Sequence, residues 1–448
     1  MAEPPRVSPR SVAIEAIARA AKTIHHRAPE SALDTAGLDH RDARLACAIH
    51  RTTLQRWLSL EYLLERYLRR PIGRLEPALQ GVLLSAAAQL VFMDRLPSHA
   101  VVHESVTWAR QMVRAGAGRL ANAVLRRVAE LVDQAIHDEP WRPAPDRLPL
   151  ADGYISLTEP CLPDVETWDA YLSVATSQPV TLVRAWIQRF GRGRTTSLCL
   201  HHLTNPPTIV ALEPAFSDYG ALRHDLYLPH KVPGFLLWRG SRADLQRFLA
   251  EHPARRVQDS TTAQPVDETQ DLAPHLIIDA CAGRGTKTRQ LAAVHPTATI
   301  LATEVHPGRR GELAQAAATL PCVRVVEPDQ LPAHLAGGKA DLILLDVPCS
   351  NTGVLARRPE ARYRYGSAML SSLVVLQRQI VQAMAPMLAS DGVLLYSTCS
   401  LEPAENQDQV RWISRCLGAR LELERCTLPE GADATYCDGG YYARLRKG

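Results

Sequence analysis

The sequence predicts a multidomain protein with an all-helical amino-terminal domain, a small α+β unit in the middle, and a doubly wound parallel α/β domain closing in an antiparallel hairpin. Three observations carry this. From Ser11 to Ala135 apolar residues recur at spacings of three and four, with almost no strand signals. Residues 136–165 then collect Pro140, Pro143, Pro145, Pro149, Pro160 and Pro163, which forbid a long helix and read as a linker. From Ala273 onward, short apolar runs alternate with helical segments.

Within the first part, residues 1–135, Val101, Val102, Val106, Ala109 and Val113 make one helical face; Pro97 precedes its start, and Gly116 and Gly118 follow its end. In residues 166–260, helical segments (Thr181 to Phe190, Arg242 to Glu251) alternate with apolar ones (Thr208 to Leu212, Gly234 to Trp238), which fits a small α+β unit. In residues 261–448 the expected strands are Leu276 to Ala280, Ala298 to Glu304, Val323 to Val326, Asp341 to Asp346 and Gly392 to Ser397. Helices follow Thr286, His306, Ser367 and Pro403. Leu421 to Glu424 and Gly440 to Leu445 form the terminal hairpin.

Composition excludes several classes. The amino terminus, MAEPPRVSPR, has no apolar signal region, and the longest apolar run, around Gly81 to Met93, is too short to span a bilayer. A cytoplasmic protein without membrane contact is expected. Ten cysteines without regular spacing read as free thiols rather than a disulfide framework or a C-x-x-C zinc site, and no metal is expected. The net charge of +4 is concentrated: residues 1–140 hold 19 Lys plus Arg against 15 Asp plus Glu, so the rest is balanced. Lys22 is the only lysine there, and arginine suits bidentate phosphate contacts. Nothing bears on oligomeric state, for which a monomer is the default.

The chemistry gathers in DLILLDVPCSNTGVLARRPEAR, Asp341 to Arg362. Its apolar run reads as a strand covered on both faces, and Asp346 and Cys349 fall just past its carboxyl end, where open α/β sheets bind ligands. A second run, GVLLYSTCSLEPAEN from Gly392 to Asn406, delivers Cys399 to the same edge. A lone free cysteine is usually a small buried hydrophobe. Two of them in matching strand-then-turn context point to thiol chemistry.

The first strand of this domain ends in DACAGRGTKT, Asp279 to Thr288, a glycine-containing turn that opens a helix. The next strand ends in Glu304, where an acid can hold both ribose hydroxyls of an adenosine group. No G-x-x-x-x-G-K-[ST] spacing is present, so an adenosine cofactor with a carboxylate tail fits better than a triphosphate.

The stretches DACAGRGTKT, LLDVPCSNTGVLARRPE and YSTCSLEPAEN together resemble the motifs of the bacterial 16S ribosomal RNA cytosine-C5 methyltransferases, which use S-adenosylmethionine on a Rossmann-like fold. RLPSHAVVHESVTWAR and LANAVLRRV, Arg95 to Arg110 and Leu120 to Val128, are similar to that family's helical amino-terminal domain, which resembles the antitermination factor NusB and binds RNA. The resemblance implies that Cys399 attacks C6 of cytosine, that Cys349 helps remove the C5 proton and release product, and that Asp346 contacts the N3 and N4 edge. It places Lys287 beside the cofactor and the cysteines. It further implies a cofactor turn from Cys281 through Ala282, Gly283, Arg284, Gly285 and Thr286 to Lys287, with Glu304 on the ribose, Asp329 by the adenine and Asp346 closing the methyl-donor site. Arg358 and Pro359 match a downstream element that touches RNA backbone. The implied substrate is 16S rRNA, naked or in an assembly intermediate, with an unpaired or flipped target base.

Some positions depart from the family pattern. Gly283, Arg284, Gly285, Thr286 and Lys287 replace Ala-Pro-Gly-Gly-Lys, Glu304 replaces aspartate, Pro328 replaces a glycine, and Ala211 to Glu213 replace Arg-Val-Asn. Thr286 in place of a glycine adds a side chain where the cofactor's carboxylate is expected to lie, though its hydroxyl is also able to cap the helix it opens and donate a hydrogen bond. Two other classes stand beside the enzyme. One is an RNA-binding ribosome-assembly factor that kept the fold with weakened catalysis. The other is a nicotinamide-dependent oxidoreductase on the same sheet type, which leaves the paired cysteines unexplained.

Overall fold

The structure, a computed structural model, describes residues 8–24, 33–213, 225–335 and 337–448. The chain divides into two compact units, Met1–Asn205 with Leu355–Gly366, and Pro206–Val354 with Ser367–Gly448.

The first unit opens with five helices: α1 (Pro9–Ala21), α2 (His40–Glu65), α3 (Pro77–Phe92), α4 (Ser98–Met112) and α5 (Ala115–Leu131). Local chemistry sets their ends. Ser8 caps α1 by accepting from the Ser11 amide, with Pro9 preset for the first turn. Helix α3 is apolar on nearly every side and is therefore the central one, with Leu79, Val82, Leu83, Leu84 and Val91 all buried. The expected valine face of α4 holds, since Val101, Val102 and Ala109 are buried. Gly116 and Gly118 follow the end of α4, as expected, and lie in the first turn of α5. A Cβ at Gly118 would stand 2.9 Å from the Arg110 Cβ, so this glycine serves a close helix crossing.

Helix α5 stops at Leu131, short of the expected Ala135, and the chain turns into β1 (Val132–His137). With β2 (Arg147–Pro149) and β3 (Gly153–Leu157) this strand forms an antiparallel sheet in the order β1-β3-β2. The proline-rich stretch expected as a linker thus folds. Prolines excluded a helix, but Leu148, Ile155 and Leu157 enter the helical core, while Pro149 sits on an edge strand that asks no ladder bond of it. Helices α6 (Trp168–Thr176) and α7 (Val180–His201) complete the unit, α7 being kinked at Gly191, next to the expected end at Phe190.

The returning segment Leu355–Gly366 carries Arg362 into this unit's interior. Its guanidinium, 0% exposed, donates to the carbonyls of Ser177 (3.1 Å), Leu355 (3.2 Å) and Pro359 (3.0 Å). Tyr363 beside it donates to the Leu54 carbonyl at 2.6 Å.

The second unit begins with a four-stranded antiparallel sheet, β5-β6-β4-β7, made of β4 (Thr208–Ala211), β5 (Tyr227–Pro229), β6 (Phe235–Trp238) and β7 (Arg256–Val257), with α8 (Arg242–Ala250). The stretch 166–260 is therefore shared, with α6 and α7 in the first unit and this sheet in the second. After α9 (Ser260–Asp267) come β8 (Leu276–Asp279), α10 (Thr286–Val294), β9 (Thr299–Ala302), α11 (Pro307–Ala317), β10 (Val323–Val325), α12 (Leu331–His334) and β11 (Ala340–Asp346). The chain ends with α13 (Ser367–Met384), β12 (Leu388–Thr398), α14 (Gln407–Leu417), β13 (Ala419–Thr427) and β14 (Gly440–Lys447).

Seven of these strands form one sheet in the order β10-β9-β8-β11-β12-β14-β13. The first five are parallel, and β14 and β13 form the expected antiparallel hairpin against β12. Strand β11 reads DLILLD because both its faces are covered: Leu342, Ile343, Leu344 and Leu345 are each 0% exposed. The strand order reverses between β8 and β11, and the crevice outside their carboxyl ends is where such sheets hold ligands.

Candidate active site

Parallel pairing sets the site. Asp346 lies opposite Ser397 in the β11–β12 register, so the two strands end level, and the Val347 amide extends the pairing to the Ser397 carbonyl at 3.1 Å. The turns that follow place the Cys349 Sγ 3.2 Å from the Cys399 Sγ. The Gly353 amide bonds the Cys399 carbonyl at 2.9 Å, tying one turn to the other. Lys287, from the first turn of α10, reaches across β8, and its Nζ stands 2.6 Å from Asp346 Oδ2, while Ser397 Oγ donates to Asp346 Oδ1 at 2.8 Å. Four of the expected residues, Lys287, Asp346, Cys349 and Cys399, thus meet at neighbouring strand ends.

The two thiols are not equivalent. Cys349 is pushed well up, first by its hydrogen bond to Cys399, then by burial and by the nearby Glu405 carboxylate. Asn351 gives the pair an order: its Nδ2 donates to the Cys349 carbonyl at 2.8 Å, which aims its Oδ1 at the Cys399 thiol, 3.2 Å away.

Sequence reasoning gave no role to Asn351, Ser350, Ser400, Gln377, Glu405 or Asn406. The Glu405 carboxylate, 0% exposed, accepts from the Ser350 amide (3.0 Å), the Ser350 hydroxyl (2.5 Å), the Ser400 hydroxyl (2.6 Å) and Gln377 Nε2 (3.1 Å). A signal was present: each cysteine is followed by a serine, and the AEN tail lies inside the second motif.

On the cofactor side, Gly283 and Gly285 take φ of +58° and +87°, conformations that glycine alone adopts freely, and they bend the chain from β8 into α10. Gly285 is the residue that caps α10. Thr286 is the first helical residue, exposed, and makes no capping bond, which corrects the expected cap. Arg284 pairs with Glu312 at 2.9 Å. Glu304 is buried at the end of the next strand, its Oε1 accepting from the His306 amide (2.8 Å) and Arg309 (2.9 Å). Burial, with the Asp279, Asp346 and Glu304 carboxylates, drives the Cys281 thiol strongly up. Such a cluster of acids suits a cationic sulfonium and ammonium, and the α10 amino terminus suits a carboxylate. The residues present therefore fit S-adenosylmethionine. Asp329 is exposed in the turn after β10. Ala211 and Leu212 are buried, and Glu213 is held by Arg255 at 2.9 and 3.1 Å.

Residues 264–440 match the family described as 16S rRNA methyltransferase RsmB/F, and residues 8–130 match the NusB family. The helical region ahead of this site is NusB-like, and the sheet that carries the site is a methyltransferase domain. The similar proteins extend over most of the length of the chain. It is 27% identical to a probable ribosomal RNA small subunit methyltransferase B of Synechocystis, covering 92% of this chain and 89% of that one. It is 29% identical to the ribosomal RNA small subunit methyltransferase B of Yersinia enterocolitica, covering 88% of each. Among solved structures, one titled PH0851 superposes over 99% of this chain and 100% of its own, at TM-score 0.72 and 17% identity. A methyltransferase homologue from Pyrococcus horikoshii matches 62% of this chain and 98% of its own, at TM-score 0.50 and 18% identity. These two bear on the fold alone.

Proposed function

We propose that the protein transfers a methyl group from S-adenosylmethionine to C5 of a cytosine in 16S rRNA through a covalent bond between Cys399 and C6. The observation that carries the reading is the thiol pair, 3.2 Å apart, beside the Lys287–Asp346 ion pair. C5 of cytosine is a poor nucleophile, so a thiolate must first add to C6, for which Cys399 is suited. Its thiol proton passes to water, its lone pair forms the S–C6 bond, and the electrons of C5=C6 move to the C5 side of the ring. Asp346, oriented by Lys287 and Ser397, accepts from the N4 amino group and fixes the base edge. The cofactor, when bound, supplies an electrophilic methyl group above C5. Cys349, its own thiol proton having passed to water, takes the C5 proton onto its sulfur; the pair left behind restores C5=C6 and expels the Cys399 thiolate. The cofactor would lie over the Cys281 to Lys287 turn, with Glu304 on the ribose and Asp329 by the adenine. The base must be unpaired or flipped out to reach the thiols. The arginine-rich helical domain, residues 1–135, supports RNA contact, and Arg358 is an exposed cation suited to phosphate.

The test is methyl transfer from labelled S-adenosylmethionine to small-subunit rRNA by wild type, Cys399→Ala and Cys349→Ala, with denaturing gels for protein bound to RNA. Cys399→Ala is expected to be inactive without an adduct, and Cys349→Ala to trap one. Swapped outcomes assign the attack to Cys349. No transfer by wild type on naked rRNA or on assembly intermediates leaves an RNA-binding assembly factor.

A further inference from the structure

Both cysteine turns converge on one buried carboxylate. Ser350 follows Cys349 and Ser400 follows Cys399, and Glu405 accepts hydrogen bonds from both serine hydroxyls and from the Ser350 amide. Gln377 closes the other side of Cys349, its Nε2 bonding both the Pro348 carbonyl (3.0 Å) and Glu405 Oε1 (3.1 Å), while its Oε1 accepts from Gln409 (2.9 Å). Asn406 does the same for Cys399, accepting from the Thr398 hydroxyl at 2.6 Å and donating to the Ser400 carbonyl at 2.9 Å. Every residue flanking a thiol is therefore bonded to Gln377, Glu405 or Asn406, and Glu405 is the one among them that reaches both turns. The Glu405 carbonyl is itself fixed by the Tyr396 hydroxyl at 2.8 Å.

We propose that Glu405 is the positioning residue that sets the spacing of the two thiols: it touches neither base nor cofactor and acts through Ser350 and Ser400. A purely structural carboxylate of this kind would hold the fold and nothing more. The arrangement here does something narrower: β11 and β12 already fix the strands, and beyond them Glu405 joins the two turns alongside the Gly353 amide to Cys399 carbonyl bond (2.9 Å) and the Ser350–Ser400 hydroxyl contact (2.9 Å). The inference rests on the reading of Cys349 and Cys399 as the reacting pair.

The experiment uses the full chain and a probe that senses thiol spacing without catalysis. Phenylarsine oxide condenses with two neighbouring thiols, forming two As–S bonds, with both thiol protons and the oxide leaving as water. Wild type is expected to bind one equivalent in a form that excess monothiol does not displace, and Cys349→Ala and Cys399→Ala to lose it. Folded Glu405→Ala is expected to hold the arsenical at least tenfold more weakly. Its kcat should fall by about 100-fold, the scale of a misplacement near 1 Å, with KM for S-adenosylmethionine within a few-fold. Glu405→Gln should lose less in both readouts, since the amide keeps one acceptor and the serine hydroxyls can rotate to accept from its NH2. Where Glu405→Ala does not fold, the Ser350→Ala/Ser400→Ala double variant carries the same two readouts. The proposal is overturned if arsenical affinity and kcat survive in the folded variant, or if kcat falls while the arsenical still bridges. Loss of bridging in Glu405→Ala together with an active Cys399→Ala would instead sink the assignment of the nucleophile and leave the clamp standing.

Discussion

Lys287 Nζ stands 2.6 Å from Asp346 Oδ2, joining the cofactor turn after β8 to the thiol turn after β11 across one strand pair. Lys287 is largely buried and Asp346 about one-third exposed, so the pair is screened on one side only. Lys287→Met is expected to cost about 1–2 kcal/mol of stability, below the buried-pair range because water reaches the acid. The larger effect should fall on methyl transfer, by about 100-fold, because Asp346 keeps only the Ser397 hydroxyl to orient it. Thermal melts and single-turnover transfer on one preparation separate the two; a melt that drops with transfer intact would make the pair structural.

Asp279, 0% exposed at the end of β8, has one oxygen bonded to the Thr288 hydroxyl at 2.7 Å and the other, Oδ1, without a partner among the described residues. Burial pushes its carboxyl up to about 7. Between the unfolded value near 3.8 and about 7 the folded protein keeps a proton that the unfolded chain has released. Stability therefore falls as pH rises through that window. Asp279→Asn holds no such proton, so its melting temperature relative to wild type should climb by a few degrees from pH 5 to pH 8. A constant difference across that range would mean that Asp279 is ionised throughout.

The strand ends were legible because each of the paired cysteines follows an apolar run too uniform to be anything but a covered strand, as DLILLD ahead of Cys349 and VLLYST ahead of Cys399 show. Lys287 was legible from the turn it follows. What stayed hidden depends on partners distant in sequence. The 48-residue separation of Asn351 and Cys399 gives no local sign that an amide will face a thiol. Glu405 acquires its role only when Ser350 arrives beside it. Residues 136–165 were misread because proline content was weighed above the alternation of Tyr154, Ile155 and Leu157. Gly118 follows the end of α4 as expected, but its helix crossing stayed hidden, because composition cannot say whether a missing Cβ also serves a neighbour.

Arg358 and Arg362 sit four residues apart and should behave as opposites. Arg362 is buried against backbone carbonyls, whereas Arg358 is exposed. Arg362→Met strands the carbonyls of Ser177, Leu355 and Pro359 and is expected to destabilise by about 3–5 kcal/mol. Arg358→Ala should leave the melt unchanged and weaken rRNA binding with a shallower salt dependence. Calorimetry and filter binding on the two variants check this; a melt lowered by Arg358→Ala, or left alone by Arg362→Met, would reverse the assignment.

Asn351 pairs an uncommon backbone with a contact to the Cys399 sulfur. Its φ is +62°, a conformation asparagine tolerates and alanine pays for, while its amide links the Cys349 carbonyl to the Cys399 thiol. Two variants part these roles. Asn351→Gly removes the amide and relieves the backbone; Asn351→Ala removes the amide and adds a Cβ in the left-handed region. Both should lose transfer by a similar factor, about tenfold for one hydrogen bond that orders the thiol. They should differ in stability by about 1 kcal/mol in favour of glycine. If instead the glycine variant transfers methyl groups as wild type does while the alanine variant does not, the amide is dispensable, and the backbone turn alone holds Cys399 in place.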